Sequence, residues 1–302
     1  MDGNLRTIVG VDEAGYGPRL GPLVVGLSAF RVPRDAGDPR ALLAVAGPGG
    51  PVPVGDSKVV YHGPRDLWRL ERTVLAFRKC ARDAGLPDPP RDTAPWGPTF
   101  PVVLPVSCPV EVVAEAAEAL GAALRKAGVE MLALRTRTLS VPEFNAGVAR
   151  HGSKAEVLFE AAAGLLAPFL GGADETLIHV DRHGGRARYS RLLSEHFPDR
   201  CHLTVREVPG VSVYLFPRDG AGLTMSFEVE ADGRYLETAL ASMAAKWVRE
   251  LHMRSLNAWF SGLDPGLRPT AGYPVDAGRW LGETRGLRAD HGVRDEDLLR
   301  DR

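Results

Sequence analysis

Apolar residues recur along the chain with two different periods. Thr7-Ile-Val-Gly-Val11 is a short β-branched run that stops at Asp12-Glu13, and Pro22 to Phe30 is a second run after a turn rich in Gly and Pro. Together they predict a hairpin or meander. Pro33 to Pro53 reads as loop, and Gly63 to Cys80 then places Leu67, Leu70, Val74 and Phe77 on one helical face. Prolines crowd Gly85 to Pro105 so densely that no regular element is predicted there. Val112 to Lys126 is amphipathic, with Val112, Ala116, Leu120 and Ala123 at helical spacing and Gly128 suited to the C-cap. Ser153-Lys-Ala-Glu156 fits a capping box ahead of a helix over Val157 to Leu170. Thr176 to Val180 predicts a buried strand ending at Asp181, followed by a helix over Arg186 to Phe197. Leu203 to Val208, Ser212 to Phe216 and Leu223 to Val229 read as extended, and Arg234 to Phe260 is the longest helical pattern. This order fits an α/β fold in which helices pack on a mixed sheet.

Composition narrows the picture. The 302 residues leave room for one large domain or two modest ones. The formal charge of −1 excludes a globally basic nucleic-acid coat protein, and 44% hydrophobic with 25% charged residues is ordinary for a globular chain. Gly 34 and Pro 24 exceed average usage and point to many turns or irregular insertions. Cys80, Cys108 and Cys201 are far apart, which suggests neither a disulfide framework nor a thiolate zinc site. The charged N-terminus and the short apolar run cut by Asp12 suit neither a signal peptide nor a membrane span. The expectation is a soluble cytoplasmic protein, monomeric and with no membrane partner.

Four acids stand where a packed sheet presents side chains: Asp12 and Glu13 at the end of one strand, Asp181 at the end of another, and Asp232 just before the long helix. Clustered carboxylates repel one another and persist chiefly where divalent cations neutralise them; oxygen ligands of this kind suit Mg²⁺ or Mn²⁺. Two such ions about 4 Å apart can activate a water and stabilise a leaving oxygen in phosphodiester hydrolysis.

The segments around these acids resemble, in chain order, signature segments of the type 2 ribonucleases H (the ribonuclease HII-like family). Gly10-Val-Asp-Glu-Ala-Gly-Tyr-Gly-Pro18, with Gly21-Pro22 after it, is similar to the family's Gly-x-Asp-Glu-Ala-Gly-Arg-Gly-Pro segment, and Asp56-Ser-Lys58 to its Asp-Ser-Lys. Asp232 with Ala241-Ser-Met-Ala-Ala-Lys246 resembles its last metal-ligating Asp and the helix that follows. Val180-Asp181, Leu139 to Asn145 and Gly272-Tyr-Pro274 occupy further places of the pattern. The resemblance implies a ribonuclease H-like mixed sheet flanked by helices, with a Pro-rich and helical insertion over about 75–130. It implies a catalytic domain over 1–285 and a charged C-terminal tail over 286–302. It also implies that Asp12, Glu13, Asp181 and Asp232 are catalytic and hold two Mg²⁺ or Mn²⁺ ions. The implied partner is an RNA-DNA hybrid or a ribonucleotide-containing DNA duplex, cut to leave 5′-phosphate and 3′-hydroxyl ends.

Residue chemistry is compatible with that implication. Gly15 and Gly17 let backbone amides approach a phosphate or a 2′-hydroxyl, Ser57 and Lys58 can donate to phosphate oxygens, and the Tyr273 ring suits stacking on a sugar. Tyr16 stands where the family has Arg, so one phosphate-binding cation is missing. The run Arg182, His183, Arg186, Arg188 and Arg191 could replace it or could be a solvated helix face. A dinucleotide-binding reading of Gly15 to Gly21 fails, because Pro18 and Pro22 lead into a β-rich segment and no helix start meets the phosphate. His179 reads as packed rather than metal-bound, Asp56 as bonded to its own loop, and Glu228 and Glu230 as the polar face of a strand. Two other readings stay open: a nuclease of this fold acting on another nucleic acid, and a non-catalytic nucleic-acid-binding relative.

Overall fold

The computed structural model describes residues 5–35, 50, 52–55, 61, 63, 66–84, 94–97, 103–172, 174–218 and 221–301. Its strands are β1 (Leu5–Ala14), β2 (Leu23–Pro33), β3 (Glu130–Leu139), β4 (Glu175–Asp181), β5 (Leu203–Val208), β6 (Val211–Phe216) and β7 (Leu223–Glu228). They form one 7-stranded sheet in the order β3-β2-β1-β4-β7-β6-β5. β1, β4 and β7 run parallel; β2 and β3 on one side, and β6 and β5 on the other, continue the sheet antiparallel. The β1–β2 pair is the hairpin that the apolar pattern predicts.

The helices are α1 (Leu67–Cys80), α2 (Val110–Ala127), α3 (Val141–His151), α4 (Lys154–Leu166), α5 (Ser190–His196), α6 (Ala231–Arg234), α7 (Leu236–Leu263), α8 (Pro274–Glu283), α9 (Arg285–Asp290) and α10 (Asp295–Leu298). On one face of the sheet, Leu240, Met243, Trp247 and Leu251 of α7 share a core with Ile8, Val24, Phe30 and Val32. Leu70, Val74 and Phe77 of α1 and Val113, Leu120 and Leu124 of α2 enter the same core, so this face is continuous with the predicted insertion. On the other face, Phe144 of α3, Val157, Leu158 and Phe159 of α4 and Leu193 of α5 cover Val9, Val11, Val25, Leu27, Ile178 and Val180. Strands buried on both faces explain why β1 and β2 read as unbroken apolar runs rather than as alternations.

Two glycines set how closely α7 lies on the sheet. A methyl group on Gly10 would run into the Glu237–Thr238 backbone, and one on Gly26 into the Ala241 carbonyl. Gly26 pairs with Asp12 across the β1–β2 ladder. The bare backbone there brings the turn of α7 that carries Ser242 down to the level of Asp12.

Several local expectations change. β3 and α3 were not among the predicted elements; the Ser140 hydroxyl caps α3 by accepting from Glu143 N–H (3.4 Å). The helix expected from Arg186 begins only at Ser190, because Arg182 donates to the carbonyls of Gly185 and Arg186 and holds that stretch as a turn. Gly128 caps α2 in the left-handed conformation at φ +64. Ser153 caps α4 through Ala155 N–H (3.3 Å), but the Glu156 carboxylate turns to Arg186 and Arg191 rather than back to the cap.

In the insertion, buried Glu71 accepts from the backbone N–H groups of Val106, Ser107 and Cys108 (2.6–2.9 Å) and ties that loop to α1. The Pro-rich residues 85–93 and 98–102 lie outside the described residues. Residues 286–302 were expected as a charged tail; the described ones, 286–301, carry α10 and pack back on the body. Leu298 is buried, Leu299 bridges to Leu20, and Arg300 N–H donates to the Arg19 carbonyl (3.0 Å). Among the described residues no helix is long and apolar enough to cross a membrane.

Candidate active site

Because β1 and β4 are parallel neighbours, with Val11 opposite Val180, their carboxyl ends present Asp12 and Asp181 side by side. Asp12, Glu13 and Asp181 each offer a carboxylate oxygen, and these oxygens lie within 4.8 Å of one another. Glu13 N–H donates to Asp12 Oδ1 (2.7 Å), and the Ser242 hydroxyl of α7 donates to the same carboxylate. Asp181 Oδ1 accepts from Ala231 N–H (2.9 Å), which ties it to the start of α6. Asp232, the next residue, is outside the close group of three, yet its charge acts on both Asp12 and Glu13.

Burial, reinforced by the charges of Glu13, Asp181 and Asp232, pushes the Asp12 carboxyl well above the usual carboxylate range against the Ser242 hydrogen bond. Burial, then the Asp181 charge, raises Glu13 to about 8. Glu13 Oε2 is buried with no hydrogen-bond partner in the structure. An orphaned carboxylate oxygen facing two more carboxylates is what a hard divalent cation would satisfy, so Asp12, Glu13 and Asp181 fit such an ion, with Asp232 close by.

The signs give a pH prediction. A carboxyl whose folded pKa is raised keeps its proton in the folded chain, so metal-free stability falls as pH rises from the ordinary Glu value toward about 8. A divalent cation displaces that proton and should bind more tightly over the same interval. Thermal melts from pH 5 to 9 are expected to show Tm falling in EDTA and the Mn²⁺-induced rise in Tm growing with pH. A Mn²⁺ effect that shrinks as pH rises would contradict the assignment.

The loop after β1 is clamped from below. Gly15, at φ +96, lies against the buried Arg249, and a side chain there would meet the Pro22 carbonyl at 2.7 Å. Arg249 donates to the carbonyls of Leu20 (3.3 Å) and Ala271 (3.1 Å), and the N–H groups of Arg19 and Leu20 donate to the Gly272 carbonyl (2.7 and 3.2 Å). These bonds hold Tyr273 beside the glycine loop, half exposed on a groove of about 1010 Å³ that Lys246 and Arg254 also line. Gly17 has open space around it. Arg300, buried under the loop, donates to the Pro18 carbonyl, a contact that sequence periodicity does not signal. Asp56, Ser57 and Lys58 lie outside the described residues.

The basic run after Asp181 is largely committed elsewhere. Arg182 bonds its own loop, Arg186 and Arg191 pair with Glu156, and His183 is buried and pulled down to about 3 by desolvation and the Arg186 charge, so it carries no charge. Of the run, Arg188 is largely exposed, 3.9 Å from Glu207. His179 stacks on Tyr235 (ring centroids 3.7 Å apart) and pairs with Glu237 at 2.6 Å, in keeping with its reading as packed. Glu228 accepts from Ser226, Arg234 and Tyr235 and so anchors α6 instead of joining the acids.

Tyr16 sits where Arg was missing. Its hydroxyl lies against Gly184 of the loop after β4, and burial, then the Glu13 charge, pushes its phenol upward. Lys154 Nζ stands 4.4 Å from the centre of its ring. The pairing could not be read from the sequence, since the two residues belong to distant segments.

No family model matches the chain, and none of the curated proteins matches it. Solved structures do. The ribonuclease H2 from Pyrococcus horikoshii OT3 aligns over 97% of this chain and 92% of that one, at 18% identity and a TM-score of 0.52. A chain of the PCNA:RNase HII complex from Archaeoglobus fulgidus aligns over 98% and 94%, at 18% identity and a TM-score of 0.49. Bst-RNase HIII in complex with Mn²⁺ aligns over 99% and 66%, at 15% identity and a TM-score of 0.46. With its mixed sheet flanked by helices and its near-complete overlap with the Pyrococcus enzyme, the chain has the fold of a type 2 ribonuclease H.

Proposed function

We propose that the chain is a metal-dependent endonuclease that hydrolyses RNA phosphodiesters in RNA-DNA hybrids or at ribonucleotides embedded in duplex DNA, leaving 5′-phosphate and 3′-hydroxyl ends. The observation that carries this reading is the convergence of Asp12, Glu13 and Asp181 at the ends of two parallel strands, beside a glycine loop clamped open toward solvent. Fold likeness to a ribonuclease H2 and the ordered sequence motifs support it.

The catalytic group is Asp12, Glu13, Asp181 and Asp232. Divalent ions bound by these carboxylates would supply an activated water and charge stabilisation of the leaving oxygen. The chain's own residues do the positioning. Ser242 holds Asp12 in place, and the Ala231 amide fixes Asp181. Around them, the backbone at Gly15 and Gly17 can approach the phosphate and 2′-hydroxyl of the cleaved strand. Ser57 and Lys58 would meet further phosphates, and Tyr273 presents its ring to a sugar. Neutral overall charge is no obstacle, because bound cations convert the acidic centre into an attractive one.

A substrate panel tests the reading. In Mg²⁺ or Mn²⁺ the chain is expected to cut an RNA-DNA hybrid and a DNA duplex with one ribonucleotide, leaving a 3′ end that a polymerase extends, and to spare all-DNA duplex. Equal cutting of all-DNA duplex would move the assignment to another nucleic acid. Metal-independent binding without turnover on every substrate would make the chain a non-catalytic relative.

A further inference from the structure

The cation absent at Tyr16 has a replacement that the sequence does not reveal. Tyr16 follows Glu13 by three residues and spans the loops after β1 and β4, its hydroxyl against Gly184. It therefore stands next to the carboxylate cluster, close enough for the Glu13 charge to act on its phenol. Lys154, the first residue of α4, lays its ammonium over the Tyr16 ring at 4.4 Å.

The surrounding cations differ from Lys154 in one respect. Arg186 is paired with Glu156, Arg191 with Glu156 and Glu195, and Arg182 is spent on carbonyls of its own turn. Among the described residues no carboxylate lies within ion-pair distance of Lys154, and its recorded contact is with the aromatic face. An aromatic ring orients an ammonium without cancelling its charge, whereas a carboxylate would cancel it. The charge stays available to an incoming anion at the edge of the acidic centre. A shallow, open depression of about 470 Å³, lined by Ala155, Gly185, Arg186 and Arg188, begins at the residue after Lys154.

We infer that Lys154, oriented by Tyr16, binds a backbone phosphate of the substrate strand beside the carboxylate centre and takes the place of the arginine that Tyr16 displaces. The inference rests on the proposed nuclease reading, since it needs a nucleic acid at this site. It assigns Tyr16 as a positioning residue and Lys154 as the phosphate contact.

The test is binding of a fluorescent DNA duplex carrying one ribonucleotide, measured in EDTA over a salt series, together with cleavage of the same duplex in Mg²⁺. Lys154→Gln is expected to weaken binding about five- to tenfold and to make the slope of log affinity against log salt shallower by about one, as for the loss of a single phosphate contact. In cleavage it should raise KM and leave kcat within about twofold. Lys154→Arg should restore both. Tyr16→Phe, which keeps the ring, should behave as wild type, while Tyr16→Leu should weaken binding and shrink the further effect of Lys154→Gln. A Lys154→Gln protein with wild-type affinity, salt slope and KM would overturn this inference while leaving the nuclease reading intact. A wild-type chain that neither binds nor cuts the duplex would overturn both.

Discussion

Replacing Asp12 by Asn is expected to lower kcat for cleavage of a ribonucleotide-containing duplex by about 10³-fold or more, because several kcal/mol of transition-state stabilisation depend on the ions that this carboxylate helps hold. The same substitution should leave the metal-free chain at least as stable as wild type. Asp12 is buried among Glu13, Asp181 and Asp232, and removing its charge relieves both desolvation and repulsion. Single-turnover cleavage and a thermal melt in EDTA separate the two effects. Activity within tenfold of wild type would remove Asp12 from the chemistry, and a large fall in Tm would mean that it is structural instead.

Gly26→Val should damage the fold severely without replacing any acid. Any side chain at Gly26 collides with the Ala241 carbonyl, so either β2 or α7 must move, at a cost of about 3 kcal/mol, equivalent to roughly 6–12 °C in Tm. If α7 moves, Ser242 moves with it and Asp12 loses its hydrogen bond. The folded fraction of the variant is therefore expected to be weakly active as well as unstable. A Gly26→Val chain with wild-type Tm and activity would show that the close contact of α7 with the sheet matters to neither.

Much of this architecture was legible from the order of residues alone. β1, β2, β4 and α7 carry long apolar or amphipathic patterns, and their burial on two faces makes the patterns unmistakable. β3 escaped because its middle, Arg135-Thr136-Arg137, is an unbroken polar run on an edge strand, and α3 because Pro142 lies in its first turn, where a proline is tolerated. The C-terminal residues read as a charged tail because their arginines and acids surround the few apolar residues, Val293, Leu298 and Leu299, that dock them.

For the site, the acids were legible as strand-end residues, but their convergence depends on β1 and β4 being parallel neighbours, a fact of topology that no local pattern encodes. The same holds for Lys154 on Tyr16 and for Arg249 and Arg300 beneath the glycine loop. Conversely, the basic run after Asp181 looked free in sequence, and only the fold shows that Glu156, on a distant helix, neutralises part of it.

The most direct test of the carboxylate centre is anomalous diffraction from crystals grown with Mn²⁺. Manganese density is expected among the side-chain oxygens of Asp12, Glu13 and Asp181, and it should be lost from crystals of Asp12→Asn grown in the same way. Ordered manganese elsewhere on the chain, with none between these three carboxylates at saturating Mn²⁺, would contradict the assignment.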